Sequence, residues 1–199
     1  MGEAFPGVVA WGSGSWTNPP LNSRETASGL EVTAVEGSDA WRTTSYGFVH
    51  DSEHALLAPF TRAEAVEVSF VADLTEQFDQ AGVFVRASET HWVKAGVEMS
   101  DGTPQVGAVV TAPVSDWSVA PVPTWLGRLV TVRVSWSGDA LTIRAGVDDE
   151  ALRLVRVVPF SPPASEPVLA GPLVCAPTRA GLTVRFREWR RTQPDAALH

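Results

Sequence analysis

The sequence predicts an all-β protein, a two-sheet antiparallel jelly-roll sandwich. Three observations carry that expectation. Apolar and polar residues alternate at the period of a strand in window after window. Turn residues separate nearly all of these windows, and none holds a sustained helical period with caps. At 199 residues with 44% apolar side chains, the chain can bury one sizeable core, and sandwiches of this length commonly form one domain.

The first strand signals fall at 30–35, 40–50 and 55–60. In 65–74, Val66, Val68, Phe70, Ala72 and Leu74 share one face while Glu67, Ser69 and Asp73 take the other, as in a half-buried strand. Residues 80–87, 91–99 and 105–112 follow. Val130, Val132, Val134 and Trp136 then point one way, Ser137, Gly138 and Asp139 supply a turn, and Leu141, Ile143 and Ala145 resume the alternation, which predicts a hairpin. After 151–158 and 167–174, Leu182, Val184 and Phe186 form a last strand that closes a sheet beside an N-terminal one. The proline-rich stretches 119–123 and 159–167 read as surface loops. The expected organisation is one domain over residues 1–190 and a flexible tail, 191–199, with little to bury.

Charge and composition narrow the partners. With 15 basic against 23 acidic residues and a net charge of -8, the chain opposes the phosphate neutralisation on which nucleic-acid binding depends. Anionic membranes are disfavoured for the same reason. No apolar run approaches a membrane span: Thr131, Arg133 and Ser135 interrupt even 129–136. The single cysteine, Cys175, has no internal partner, and residues 1–16 lack the basic and apolar regions of a secretory signal. A soluble protein of the reducing cytoplasm is expected, as a monomer or homodimer.

Two neighbouring segments place charged and amide side chains in step on one face. Gln80, Gly82, Phe84 and Arg86 share a face, as do Trp92, Lys94, Gly96 and Glu98, while their opposite faces are apolar. The short connection predicts hairpin partners, which should cluster Arg86, Lys94 and Glu98. Glycines 82 and 96 leave room for a ligand or a close backbone approach. Tyr46 and His50 from the 41–51 segment, with Ser115, Asp116 and Trp117 from a following loop, add aromatic planes and hydrogen-bonding groups. That combination suits a sugar or another polar small molecule. The candidate ligand-binding set is therefore Tyr46, His50, Gln80, Arg86, Trp92, Lys94, Glu98, Asp116 and Trp117. The competing reading is a solvated cross-strand charge network of little consequence.

Several ordered motifs together cover most of the chain. They are Trp41, Arg42, Thr43 and Thr44 with Tyr46, Gly47 and Phe48; Phe78, Asp79, Gln80, Ala81 and Gly82 with Arg86; Trp92 through Glu98; Ser115 through Ser118; and Gly171 with Pro172. In these the sequence resembles the domain-of-unknown-function family that includes the regulation-of-enolase proteins, within the concanavalin A-like lectin/glucanase superfamily. Phe78 stands where the family usually has Tyr, and Ala40 where it has an aromatic, so two aromatic contacts are lost. The resemblance implies a concanavalin A-like sandwich whose concave face is the site, with carbohydrate binding or cleavage common among distant relatives. A shared fold does not by itself transfer an activity.

A noncatalytic carbohydrate-binding domain is the leading expectation. A glycoside hydrolase is the alternative, and a retaining one needs two carboxyl groups about 5 to 5.5 Å apart. Glu98 is the candidate acid/base, with Asp116 its candidate partner. A protein-interaction module is the third reading. No metal site is expected: His50 and His54 have a spacing that aligns on a helix but lie at a strand end and turn. Asp148, Asp149 and Glu150 read as an acidic hairpin tip. No cofactor is indicated, and neither a nucleophile-elbow serine nor a phosphate-binding glycine loop is present.

Overall fold

The computed structural model describes residues 7–198. Two seven-stranded antiparallel sheets face one another. The first runs, edge to edge, β1 (Ser15–Trp16), β6 (His54–Pro59), β15 (Leu169–Cys175), β8 (Gln80–Arg86), β9 (Trp92–Ser100), β10 (Thr103–Thr111) and β11 (Ser115–Pro121). The second runs β14 (Arg153–Pro159), β13 (Ala140–Val147), β12 (Leu129–Ser137), β7 (Glu64–Val71), β16 (Thr183–Thr192), β3 (Gly29–Thr33) and β2 (Asn22–Thr26). A separate hairpin pairs β4 (Ala40–Arg42) with β5 (Val49–Asp51).

Alternation builds the sandwich. Val66, Val68 and Phe70 of β7 and Val130, Val132 and Val134 of β12 pack in one core with Ala81, Val83 and Val85 of β8 and Val93, Ala95 and Val97 of β9. Each large apolar side chain buried this way stabilises the fold by about 1.5–3 kcal/mol before entropy is counted. The β12–β13 hairpin forms as its pattern predicts, with Val134 opposite Ile143 and Ser137 opposite Ala140. The last strand pairs through Val184 with Val32 of β3, closing the second sheet beside an N-terminal strand.

Three segments depart from expectation. Residues 40–50 are two short strands rather than one, because the chain turns left-handed at Thr43, Ser45 and Gly47. Residues 115–121 form edge strand β11 rather than a loop, and its proline stands at the strand's last position, where no further donor is needed. The tail expected to be flexible from residue 191 is tethered over its described part. Arg191 and Thr192 complete β16. Asp195 then bridges two arginines of the second sheet's outer face, at 2.8 Å from Arg133 and 2.9 Å from Arg144, and its N–H donates to Ser135.

Burial pushes the Asp195 carboxyl up, but Arg144 and Arg133 outweigh it and hold the pKa below the ordinary aspartate value. A group depressed in the folded state adds stability above its unfolded pKa and loses it as pH falls through the folded one. Asp195→Asn should therefore lower the thermal midpoint at pH 7, and the difference from wild type should shrink as pH falls below the ordinary aspartate range, as read by calorimetry over a series of pH values.

Candidate functional site

The first sheet's outer face is not uniformly polar. Phe84, Trp92, Val109, Leu173 and Cys175 project from it and form a second apolar cluster, with Ala40 and Trp41 packed among them. Residues 37–42 cross the face and cover that cluster. The crossing segment is fixed at one end by Gly37 N–H on the Ala176 carbonyl (2.9 Å) and at the other by Arg42 N–H on Ser115 Oγ (2.9 Å). What it leaves open is a cleft of about 280 Å³.

Lys94, on the cleft floor, is the only lysine in the chain, and it is 6% exposed. Its Nζ donates to Asp39 Oδ1 and to Gln80 Oε1, each at 2.7 Å. Gln80 is oriented by its own amide, which donates to Asp39 Oδ1 (3.3 Å) and the Phe78 carbonyl (3.2 Å). Ala40 N–H adds a further donor to Asp39 Oδ1 at 2.8 Å. Burial pulls the ammonium pKa down, but the Asp39 charge, with Cys175 and Glu98, more than reverses this and leaves it above the ordinary lysine value. Lys94 is thus a fixed cation matched to Asp39.

Glu98 lies directly across the hairpin from Gln80. Desolvation pushes its carboxyl up to about 7, against the opposing pull of Lys94 and with a smaller push from Asp39. No hydrogen bond contributes to that balance, and the half-buried carboxyl has no ion-pair partner among the described residues. It is therefore free to accept hydrogen bonds from a ligand.

Aromatic rings wall the cleft. Tyr46 stacks on Phe48 with centroids 5.3 Å apart and planes 12° from parallel. Trp41 meets Tyr46 edge-on at 5.6 Å and Trp117 at 6.5 Å, while His50 meets Phe48 edge-on at 4.7 Å. Tyr46 is 55% exposed and Phe48 42%, so solvent reaches the stacked pair. The left-handed residues at 43, 45 and 47 produce the turn that carries these rings.

Of the nine predicted ligand-binding residues, Tyr46, His50, Gln80, Lys94, Glu98 and Trp117 line this cleft. Three do not. Trp92 is buried against Phe84, 5.3 Å away, in the cluster covered by the crossing segment. Arg86 pairs with Trp92 while Glu98 pairs with Gln80, so the expected cluster of Arg86, Lys94 and Glu98 does not form. The antiparallel register places those two charges at opposite ends of the hairpin, about 20 Å apart along the strand. Asp116 points away from the cleft because it alternates with Trp117, and it pairs with Arg156 of β14 at 2.8 Å. It is no partner for Glu98. His54 is also spoken for: Val35 N–H donates to Nε2, and Nδ1 meets the Asn18 carbonyl, each at 3.0 Å.

Asp39, Trp41 and Phe48 complete the site. Asp39 is marked by no strand pattern, since it lies in a loop 55 residues from Lys94. The available signal is the chain's single lysine, set on a face with Phe84 and Trp92, whose burial demands a counter-charge; Glu98 on the same face is the carboxylate that the strand pattern itself offers.

Residues 16–194 match the family described as "Protein of unknown function (DUF1349)". The chain is 38% identical over 187 residues to "Regulation of enolase protein 1" of Saccharomyces cerevisiae, spanning 94% of this chain and 93% of that protein. It superposes on the crystal structure of a functionally unknown Saccharomyces cerevisiae protein with a TM-score of 0.86 and 36% identity, covering 94% of this chain and 100% of that one. A xylan β-1,4-xylosidase from Bacillus halodurans C-125 gives a TM-score of 0.71 at 13% identity, covering 96% of this chain and 40% of that one. That likeness is one of fold.

Proposed function

The chain belongs to the DUF1349 family, and from its cleft we propose that it is a noncatalytic binding protein for a sugar or comparable polyol. The observation that carries this reading is the facing of an aromatic wall and a fixed hydrogen-bonding floor across one cavity. The Lys94 ammonium has three protons and gives two to Asp39 and Gln80, so one remains for a ligand oxygen. Asp39 Oδ2 and both Glu98 oxygens remain as acceptors for ligand hydroxyls. The exposed faces of Tyr46 and Phe48 cover the C–H patches of a sugar ring. The name of the yeast relative gives that protein a regulatory role toward enolase; the cleft is proposed as a small-molecule site independently of that role.

A second reading, glycoside hydrolysis, is favoured by one observation: Glu98, with its carboxyl near 7, suits a general acid/base at neutral pH, and Asp39 supplies a second carboxylate in the same cavity. Against it, Asp39 Oδ1 already accepts from Ala40, Gln80 and Lys94, an arrangement that fixes a cation rather than frees a nucleophile.

Titration calorimetry against a panel of mono- and oligosaccharides separates the two. The expected result is saturable binding of at least one sugar without release of product. Trp117→Ala should weaken that binding about tenfold, a typical loss for an aromatic contact, and Arg86→Ala, outside the cleft, should leave it unchanged. Release of sugar by the wild type that Glu98→Gln abolishes would select hydrolysis instead. A panel with no binder would sink the sugar reading.

A further inference from the structure

We propose that the sugar taken by this cleft is basic: an amino sugar or aminated polyol whose ammonium is held by Glu98 while its hydroxyls meet Asp39 and Lys94. This rests on the reading of the cleft as a sugar site and specifies its ligand class. The first argument is charge balance. The Lys94 ammonium is matched to Asp39 at 2.7 Å, so that pair leaves no net charge for a ligand to neutralise. Glu98 is the remainder.

The groups facing Glu98 from each neighbouring element do not neutralise it. Gln80 lies across from it on β8 and Gln105 on β10, and both are uncharged. Along its own strand stands Lys94, already paired; the crossing segment brings Asp39, a like charge; and β5 brings His50. A half-buried carboxylate without a partner is costly, and an ammonium supplies the opposite charge together with the donors it lacks. An acidic sugar would instead add a third carboxylate to Asp39 and Glu98.

The second argument is the wall. The rings of Trp41, Tyr46, Phe48 and Trp117 line the same cavity, and the negative faces of aromatic rings attract ammonium groups. The chain's net charge of -8 also favours the approach of a cation over that of an anion.

The test is calorimetry with matched probes: glucose, 6-amino-6-deoxyglucose and glucuronate, and sorbitol against 1-amino-1-deoxysorbitol. At pH 8 at least one amine should bind about tenfold more tightly than its neutral parent, with glucuronate weakest. Alkylamines of this kind stay protonated from pH 6 to 8, so the preference should shrink about tenfold over that interval as Glu98 takes up a proton. Glu98→Gln should abolish the amine's advantage over its parent, read as the ratio of the two affinities, while the parent, which also loses an acceptor, binds more weakly as well. Amines that bind no more tightly than their parents, or a preference that survives Glu98→Gln, would overturn the proposal and leave the sugar site standing. No binding of any of these probes would overturn the proposal, and no binding of the wider saccharide panel would overturn the sugar reading with it.

Discussion

Lys94→Met is expected to destabilise the fold by about 3 kcal/mol, the lower end of the range for removing one member of a buried ion pair. Asp39 is 18% exposed at its side chain, so water offsets part of the penalty. Methionine keeps the length and flexibility of the lysine stem, which confines the change to the ammonium. Its loss leaves Asp39 with donors only from Ala40 and Gln80 and strands the Gln80 carbonyl, which now accepts from Nζ. Glu98 also loses the cation opposing its desolvation, so its carboxyl should climb further and ligand binding at pH 7 should fall with it. Lys94→Arg should not rescue either property, because a planar guanidinium cannot occupy the position of a point donor 2.7 Å from both Asp39 and Gln80. Adding Asp39→Asn to Lys94→Met should recover a large part of the lost stability, since the stranded charge is gone. Urea denaturation of the four members of this cycle gives the coupling directly. A cost below about 1 kcal/mol for Lys94→Met would show the pair to be solvated rather than buried.

The contrast between Lys94 and Asp39 shows what periodicity reveals and what it omits. Gln80, Lys94 and Glu98 were legible because a period of two assigns every second residue of a strand to one face, and polar residues on a face also bearing Phe84 and Trp92 are conspicuous. The same period placed Val66, Val68 and Phe70 in the core. Periodicity does not report register, and register separated Arg86 from Glu98 by pairing Glu98 with Gln80. Nor does it describe a segment that crosses a sheet. Residues 37–42 turned one half of the outer face into a second core, which buried Trp92, and brought Asp39 to the other half. Asp116 is excluded for a simpler reason: 115–117 is strand rather than loop, and its alternation sets Asp116 opposite Trp117. The tail carries few apolar residues, which predicts fraying, whereas the charges of Arg133 and Arg144 hold its described part through Asp195.

Gly82→Ala should be at least as damaging as loss of the lysine, through the backbone rather than through charge. Gly82, Gly96 and Gly107 lie in register across β8, β9 and β10. A methyl group on Gly82 would sit 2.6 Å from the Gly96 Cα and 2.8 Å from the Ala95 carbonyl carbon, with the Ala95 oxygen nearer still. The mirror conflict holds for Gly96, whose added methyl would lie 2.8 Å from the Gly82 Cα. All of these are main-chain atoms, so no rotamer change relieves the contact; the strands must separate. The glycine row is thus a place of close strand approach, and it is flanked on one side by Phe84 and Lys94 and on the other by Gln80 and Glu98. Overpacking of this kind costs about 1–3 kcal/mol when side chains can yield and more when only backbone can, so a loss of about 3 kcal/mol or more is expected. Gly12→Ala, where the added methyl meets nothing within 4 Å, is the control and should stay within about 0.5 kcal/mol of wild type. If strand separation is the cause, Gly82→Ala should also weaken ligand binding under conditions where the variant remains folded, because Gln80 and Lys94 reach the cleft from the two strands that are forced apart. Tryptophan fluorescence during denaturation gives the stability, and calorimetry on the folded variant gives the binding. A variant as stable as wild type would mean that β8 and β9 can part without cost, and the glycine row would then have no structural role.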